Sequence, residues 1–161
     1  MEKITVDEVA AEPHPMGVNT ERRLLSDALG TEDVTVVHYA LEPGEQFSGG
    51  THAHHDQEEV FVILEGAATF HLGPSRGESV TVESGEAIRF APGEFQFGRN
   101  EGEEPVVGLA IAAPGTGHDW GEIESLAPCE ECGTITHHGV RPPEDGFVVY
   151  CLECGTERRL A

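Results

Sequence analysis

The sequence predicts an all-β protein, an antiparallel barrel or sandwich followed by a small module governed by cysteines. Three observations carry that reading. Short apolar runs recur through residues 22–115, each stopped by a Gly or Pro turn. Helix formers never gather into a long amphipathic run. From Cys129 onward, two CxxC pairs replace the strand-and-turn rhythm.

Residues 1–20 hold Pro13, Pro15 and Gly17 and read as a loose lead-in with at most one short strand. Val34–Leu41 alternates loosely and stops at Pro43-Gly44. Glu59–Leu64 stops at Gly66, and Ala67–Leu72 at Gly73-Pro74. Ser79–Glu83, Ala87–Ala91, Phe95–Arg99 and Val106–Ala112 follow, each closed by a Gly, Pro or Asn turn. Around Gly115–Ala127 the glycines read as a linker or docking arm. Residues 1–120 are expected to form the barrel with its lead-in, and 121–161 the linker and C-terminal module.

The charge is lopsided. Thirty acids against nine basic residues give a net charge of -21, and Lys3 is the one lysine. The acids run along the whole chain. Such a composition suits a cytoplasm full of salt, where self-repulsion is screened within a few Å. A halophilic archaeon is the expected source, with an acidic mesophilic protein as the alternative. The surface repels nucleic acid phosphates and anionic membranes, so neither is an expected partner. The start, Met1-Glu2-Lys3-Ile4, leads into acids in place of an apolar stretch, and a cytoplasmic location is expected.

The densest run of metal-binding side chains is His52-Ala53-His54-His55-Asp56-Gln57-Glu58-Glu59. On a strand, His52 and His54 share one face, and Glu59 can reach back from the start of the next strand. Two imidazoles and a carboxylate suit one divalent first-row metal: Fe, Mn, Ni, Co or Zn. His55 points the other way in this register. By the same alternation Phe61 shares Glu59's face, and Tyr39, Arg89 and Phe95 are further candidates for the walls of a substrate pocket, an arginine there suiting an anion.

His52-x-His54-x4-Glu59-x6-Gly66 resembles the first motif of the cupin superfamily, in its single-domain branch. Gly85 through Asn100, with Pro92-Gly93 inside, resembles the second. The resemblance covers roughly residues 20–115 and implies a cupin-type antiparallel jelly-roll barrel. It further implies a homodimer, and a metal-dependent enzyme of the dioxygenase or isomerase kind. The family's fourth metal ligand is usually a histidine three residues after the Pro-Gly glycine; here that position is Gln96. Gln96 is expected to ligate through its carbonyl or to hold a metal-bound water or substrate. The alternative is a non-catalytic barrel that senses a ligand or metal.

Cys129-Glu130-Glu131-Cys132-Gly133 and Cys151-Leu152-Glu153-Cys154-Gly155 are near-duplicates. Two CxxC pairs at this separation fit a closed, structural zinc site, a zinc ribbon, with no open position for catalysis. A turn at Glu144-Asp145-Gly146 is expected before the strand Phe147–Tyr150. His137 and His138 read as exposed loop residues. Residues 125–161 hold six acids and three arginines, so no basic stripe exists for nucleic acid. A protein partner through the ribbon is the expected use, beside a small-molecule ligand or substrate in the barrel.

Overall fold

The computed structural model describes residues 1–75, 77–117, 119–141 and 147–160. The turn expected at Glu144-Asp145-Gly146 lies outside the described residues.

After β1 (Glu21–Leu24) and a short helix α1 (Leu25–Leu29), the described residues form strands and the turns between them, with one short 3-10 turn at Trp120–Glu122. The strands are β2 (Thr35–Leu41), β3 (His52–His54), β4 (Glu58–Glu65), β5 (Ala67–Leu72) and β6 (Glu78–Glu83). Then come β7 (Ala87–Phe90), β8 (Gln96–Arg99), β9 (Val106–Ala113) and β10 (Ile123–Cys129). The chain closes with β11 (Thr134–Arg141), β12 (Phe147–Cys151) and β13 (Glu157–Leu160). The expected strands from β2 to β9 are present within a residue or two. Among the described residues the strand pairings are antiparallel: one sheet runs β1-β2-β9-β4-β7, the other β13-β12-β11-β10-β3-β8-β5-β6. This is the expected jelly-roll barrel with a cysteine module added to one sheet.

Alternation in the sequence becomes alternation in burial. Val37, Tyr39 and Leu41 of β2 are buried while the residues between them are not. Their inner faces join Phe47, Phe61, Ile63, Phe70, Phe90 and Val106 in one core. The rings lock together, Phe61 to Phe70 at 4.8 Å and Phe47 to Phe61 at 5.0 Å between centroids. Each such side chain, fully buried, contributes about 1.5–3 kcal/mol by leaving water.

The segment expected as a linker is a strand. Ile123, Glu124 and Ser125 pair with His54, Ala53 and His52 of β3, and Glu124 through Cys129 pair with β11. The cysteine module therefore continues the barrel's own sheet. Glu124 reinforces the junction, its two carboxylate oxygens meeting His55 of the barrel at 2.7 Å and His137 of β11. His137 and His138 lie on β11, not in a loop, and His138 is buried with Nδ1 donating to the Thr136 carbonyl at 3.0 Å.

Candidate metal centre

β3 and β4 belong to different sheets, so the first constellation spans the inside of the barrel. His52 and His54 come from one wall, with their rings edge to face at 5.0 Å. Glu59 comes from the opposite wall, its Oε2 4.0 Å from His54 Nε2. One ligand atom from each of the three lies within 4.8 Å of the others. Gln96 sits directly across from His52 on β8, and the strand register alone brings it into the group.

The hydrogen bonds orient the donors. His52 Nδ1 is 2.9 Å from the Gly50 carbonyl, which can only accept, so Nδ1 carries the proton. Nε2 is then a lone pair facing the centre, the tautomer a metal requires. Gln96 Nε2 donates to that lone pair at 3.3 Å and to Glu59 Oε2 at 3.0 Å. Gln96 Oε1 is buried with no partner among the described residues.

Burial pushes the Glu59 carboxyl up to about 7, with the Gln96 bond pulling the other way. A largely buried carboxylate facing the His52 lone pair, with His54 Nε2 4.0 Å away, is a charge that a divalent ion would balance. Turning the Gln96 amide by half a rotation would put its oxygen where the nitrogen now is. Beside a carboxylate that is repulsive without a cation and favourable with one. The donor set thus fits a divalent first-row metal, held by His52, His54 and Glu59, with Gln96 able to ligate.

The four expected pocket residues divide. Tyr39 and Phe61 face inward, both packed on Phe47, at 5.1 and 5.0 Å between centroids. The Tyr39 phenol is pushed upward by burial and then by the nearby Glu59 charge, so it stays a hydroxyl donor. Arg89 and Phe95 do not line the pocket. Arg89 pairs in register with Val60, one step off Glu59, and its half-exposed guanidinium meets Glu58 at 2.5 Å outside. Phe95 packs on His137, 5.7 Å between centroids, on the outer side where Glu124 and His137 meet. Arg22, which sequence reasoning passed over, lies opposite Tyr39 on β1 and faces the core beside it.

Residues 37–112 match the family model for the cupin domain. The barrel has a cupin-type jelly-roll fold. Its curated relatives include the glucose-6-phosphate isomerase of Pyrococcus horikoshii, 33% identical over 94 residues, covering 55% of this chain and 50% of that protein. The chain spans about half the length of the curated relatives it matches. Among solved structures, an uncharacterized conserved Klebsiella pneumoniae protein with a double-stranded β-helix domain is 26% identical. It covers 70% of this chain and 84% of its own, with a TM-score of 0.55. A cupin-superfamily sugar phosphate isomerase from Silicibacter pomeroyi is 19% identical, covers 98% and 92%, and has a TM-score of 0.62, a likeness of fold. No helix among the described residues is long and apolar enough to cross a membrane.

Beyond the barrel, Cys129, Cys132, Cys151 and Cys154 converge with their sulfurs within 4.8 Å of one another. Cys129 and Cys154 are 3.5 Å apart and Cys132 and Cys151 3.9 Å. Disulfide sulfurs would be about 2.05 Å apart. Sulfurs at the corners of a tetrahedron with bonds of about 2.3 Å would be about 3.8 Å apart. Each knuckle closes through a glycine at positive φ, Gly133 at 68° and Gly155 at 77°, whose N–H donates to the first cysteine's carbonyl. The Thr136 hydroxyl, 3.3 Å from Cys151, pulls that thiol down to about 6, into thiolate form at neutral pH.

Proposed function

We propose that the cupin domain is a metal-dependent isomerase of small phosphorylated sugars, and that the four cysteines hold a structural zinc. The observation that carries the first reading is the convergence of His52, His54 and Glu59 in a barrel whose curated relatives are glucose-6-phosphate isomerases. A bound divalent ion supplies Lewis acidity to a carbonyl and its neighbouring hydroxyl. The chain does the rest. Glu59 and the two imidazoles hold the ion. Gln96 orients the carboxylate, and the Tyr39 hydroxyl offers a proton-bearing donor toward the same space. Phe47, Phe61 and Phe70 close the floor of the barrel against water.

The relatives favour isomerisation over oxygen insertion. The test is fructose 6-phosphate conversion by protein loaded in turn with Fe, Mn, Ni, Co and Zn, with oxygen uptake followed in parallel. Glucose 6-phosphate formation lost in Glu59→Ala supports the reading. Oxygen uptake without it, or silence with every metal, overturns it. A second reading, a ligand- or metal-sensing barrel, is favoured by Gln96 standing where an imidazole would ligate and by the sheet running unbroken into the cysteine module. A silent enzyme that co-purifies with a stoichiometric protein partner would support that one.

A further inference from the structure

The cations on the barrel strands other than Arg22 are paired with carboxylates. Arg89 meets Glu58, Arg99 meets Glu101, and Arg23 meets Glu21 and the Val9 carbonyl. Arg22 is placed differently. β1 pairs with β2 so that Arg22 faces Tyr39 and Leu24 faces Val37. Val37 and Tyr39 belong to the core and Leu24 packs against it, so Arg22 stands on the core-facing side of its strand. Its side chain is 17% exposed.

The guanidinium is only partly used. It donates to Glu12 Oε1 at 2.6 Å, and its charge acts on the Tyr39 phenol across from it on β2. Its Nε–H is buried with no acceptor among the described residues. The Tyr39 phenol in turn senses the Glu59 charge. Glu12, Arg22 and Tyr39 are therefore neighbours on the inner side of β1 and β2, and the Glu59 charge reaches the Tyr39 phenol. Glu12 belongs to an N-terminal strap. It exchanges both backbone hydrogen bonds with Arg22, at 2.9 and 3.0 Å, and farther along Gln46 donates to the Val18 carbonyl. The Glu12 side chain is 47% exposed, so the pair opens to water on one side.

We propose that Arg22 is the anion anchor of this site, receiving the phosphate of a phosphorylated sugar whose carbonyl end lies at the metal centre, and that the Glu12 carboxylate is the resident stand-in which that phosphate displaces. A chain of net charge -21 repels free phosphate esters, so a fixed cation on the inner face is needed to hold one. Guanidinium is the side chain whose planar fork of N–H groups matches phosphate oxygens, and Glu12 engages only part of it. The sugar in this inference rests on the isomerase reading; the phosphate anchor does not need turnover.

The test titrates inorganic phosphate, and then fructose 6-phosphate against fructose, into the metal-loaded full chain by calorimetry at fixed ionic strength. Wild type is expected to bind phosphate. Arg22→Gln should weaken that binding about tenfold or more, the loss of a charge-assisted pair. Glu12→Gln should tighten it several-fold by removing the competitor. Metal content and thermal midpoint check each variant's fold; should Arg22→Gln fail to fold, Glu12→Gln, with its exposed side chain, decides alone. Phosphate affinity unchanged in both variants, or no phosphate binding by wild type, overturns the anchor. Arg22-dependent phosphate binding without isomerisation keeps the anchor and removes the isomerase reading. Isomerisation with the same KM in Arg22→Gln does the reverse.

Discussion

The Gln96 carboxamide donates to the Glu59 carboxylate at 3.0 Å, across the barrel from one sheet to the other. This one bond lets a glutamine occupy a position next to two imidazoles and still satisfy a buried acid. Gln96 would also bear on the affinity of a metal held there. An amide oxygen is a weaker donor than imidazole nitrogen.

Gln96→His should therefore tighten binding of Mn, Ni or Co by roughly 10-fold or more, the scale on which partners around a metal act. Gln96→Leu should weaken it and raise the Glu59 pKa further. Titration calorimetry of metal-free protein gives both numbers. Equal affinity in all three proteins would show that Gln96 neither ligates nor orients.

The Glu59 carboxyl sits at about 7 in the folded chain and near 4.5 when free, chiefly because it is buried. The folded state thus binds the proton more tightly. Its contribution to stability is fully present below about pH 4.5 and is lost as pH rises through about 7. At about 1.4 kcal/mol per pKa unit the loss is roughly 3 kcal/mol. Denaturation of metal-free protein at stepped pH should show this fall, Glu59→Gln should flatten it, and added metal should reverse it at neutral pH. A wild-type profile parallel to that of Glu59→Gln would mean that Glu59 titrates normally.

How much of this was legible in the sequence depends on the kind of information each residue carries. Strands bounded by Gly and Pro were readable because turn chemistry is local; Ala67–Leu72 agrees to the residue. β10 was hidden by the glycines ahead of it, Gly115, Gly117 and Gly121, which read as a linker. Pro128 within it is tolerated because pairing with β3 ends at Ser125, three residues earlier. Arg89 was misplaced because parity depends on register, and β4 pairs Glu59 with Phe90 and Val60 with Arg89. Arg22 was missed because Glu21-Arg22-Arg23 shows no apolar alternation, although the strand turns Arg22 inward. The cluster of His52, His54 and Glu59 was readable because its spacing encodes the convergence that the fold then supplies.

The cysteine module has a small core: Ile123, Val140 and Val149, with Trp120 and Phe147 against it. So few apolar groups cannot fix two knuckles without help. A strong zinc chelator should release one zinc per chain from this module, expose four thiols to a thiol reagent and loosen β11–β13. The barrel, with its own aromatic core, should keep its unfolding transition. Cys151→Ser should abolish zinc retention, since it removes a thiol that the Thr136 hydroxyl holds acidic and that is almost fully buried. Two disulfides and no zinc in protein purified under reducing conditions would refute the assignment.

The acidic surface makes a last prediction about salt. Thirty acids on 161 residues repel one another at low ionic strength, and the nine cations are too few to offset them. Raising KCl from about 0.1 to about 1 M shortens the screening length from about 10 to about 3 Å, which removes most repulsion between neighbouring carboxylates. The same salt weakens the exposed pairs Arg89–Glu58 and Arg141–Glu157, but such pairs contribute at most about 1 kcal/mol each. Repulsion summed over the surface outweighs them, so the thermal midpoint should climb steadily with KCl. A chain built for a dilute cytoplasm would instead hold a flat or falling midpoint across that range, and its source would not be a halophile.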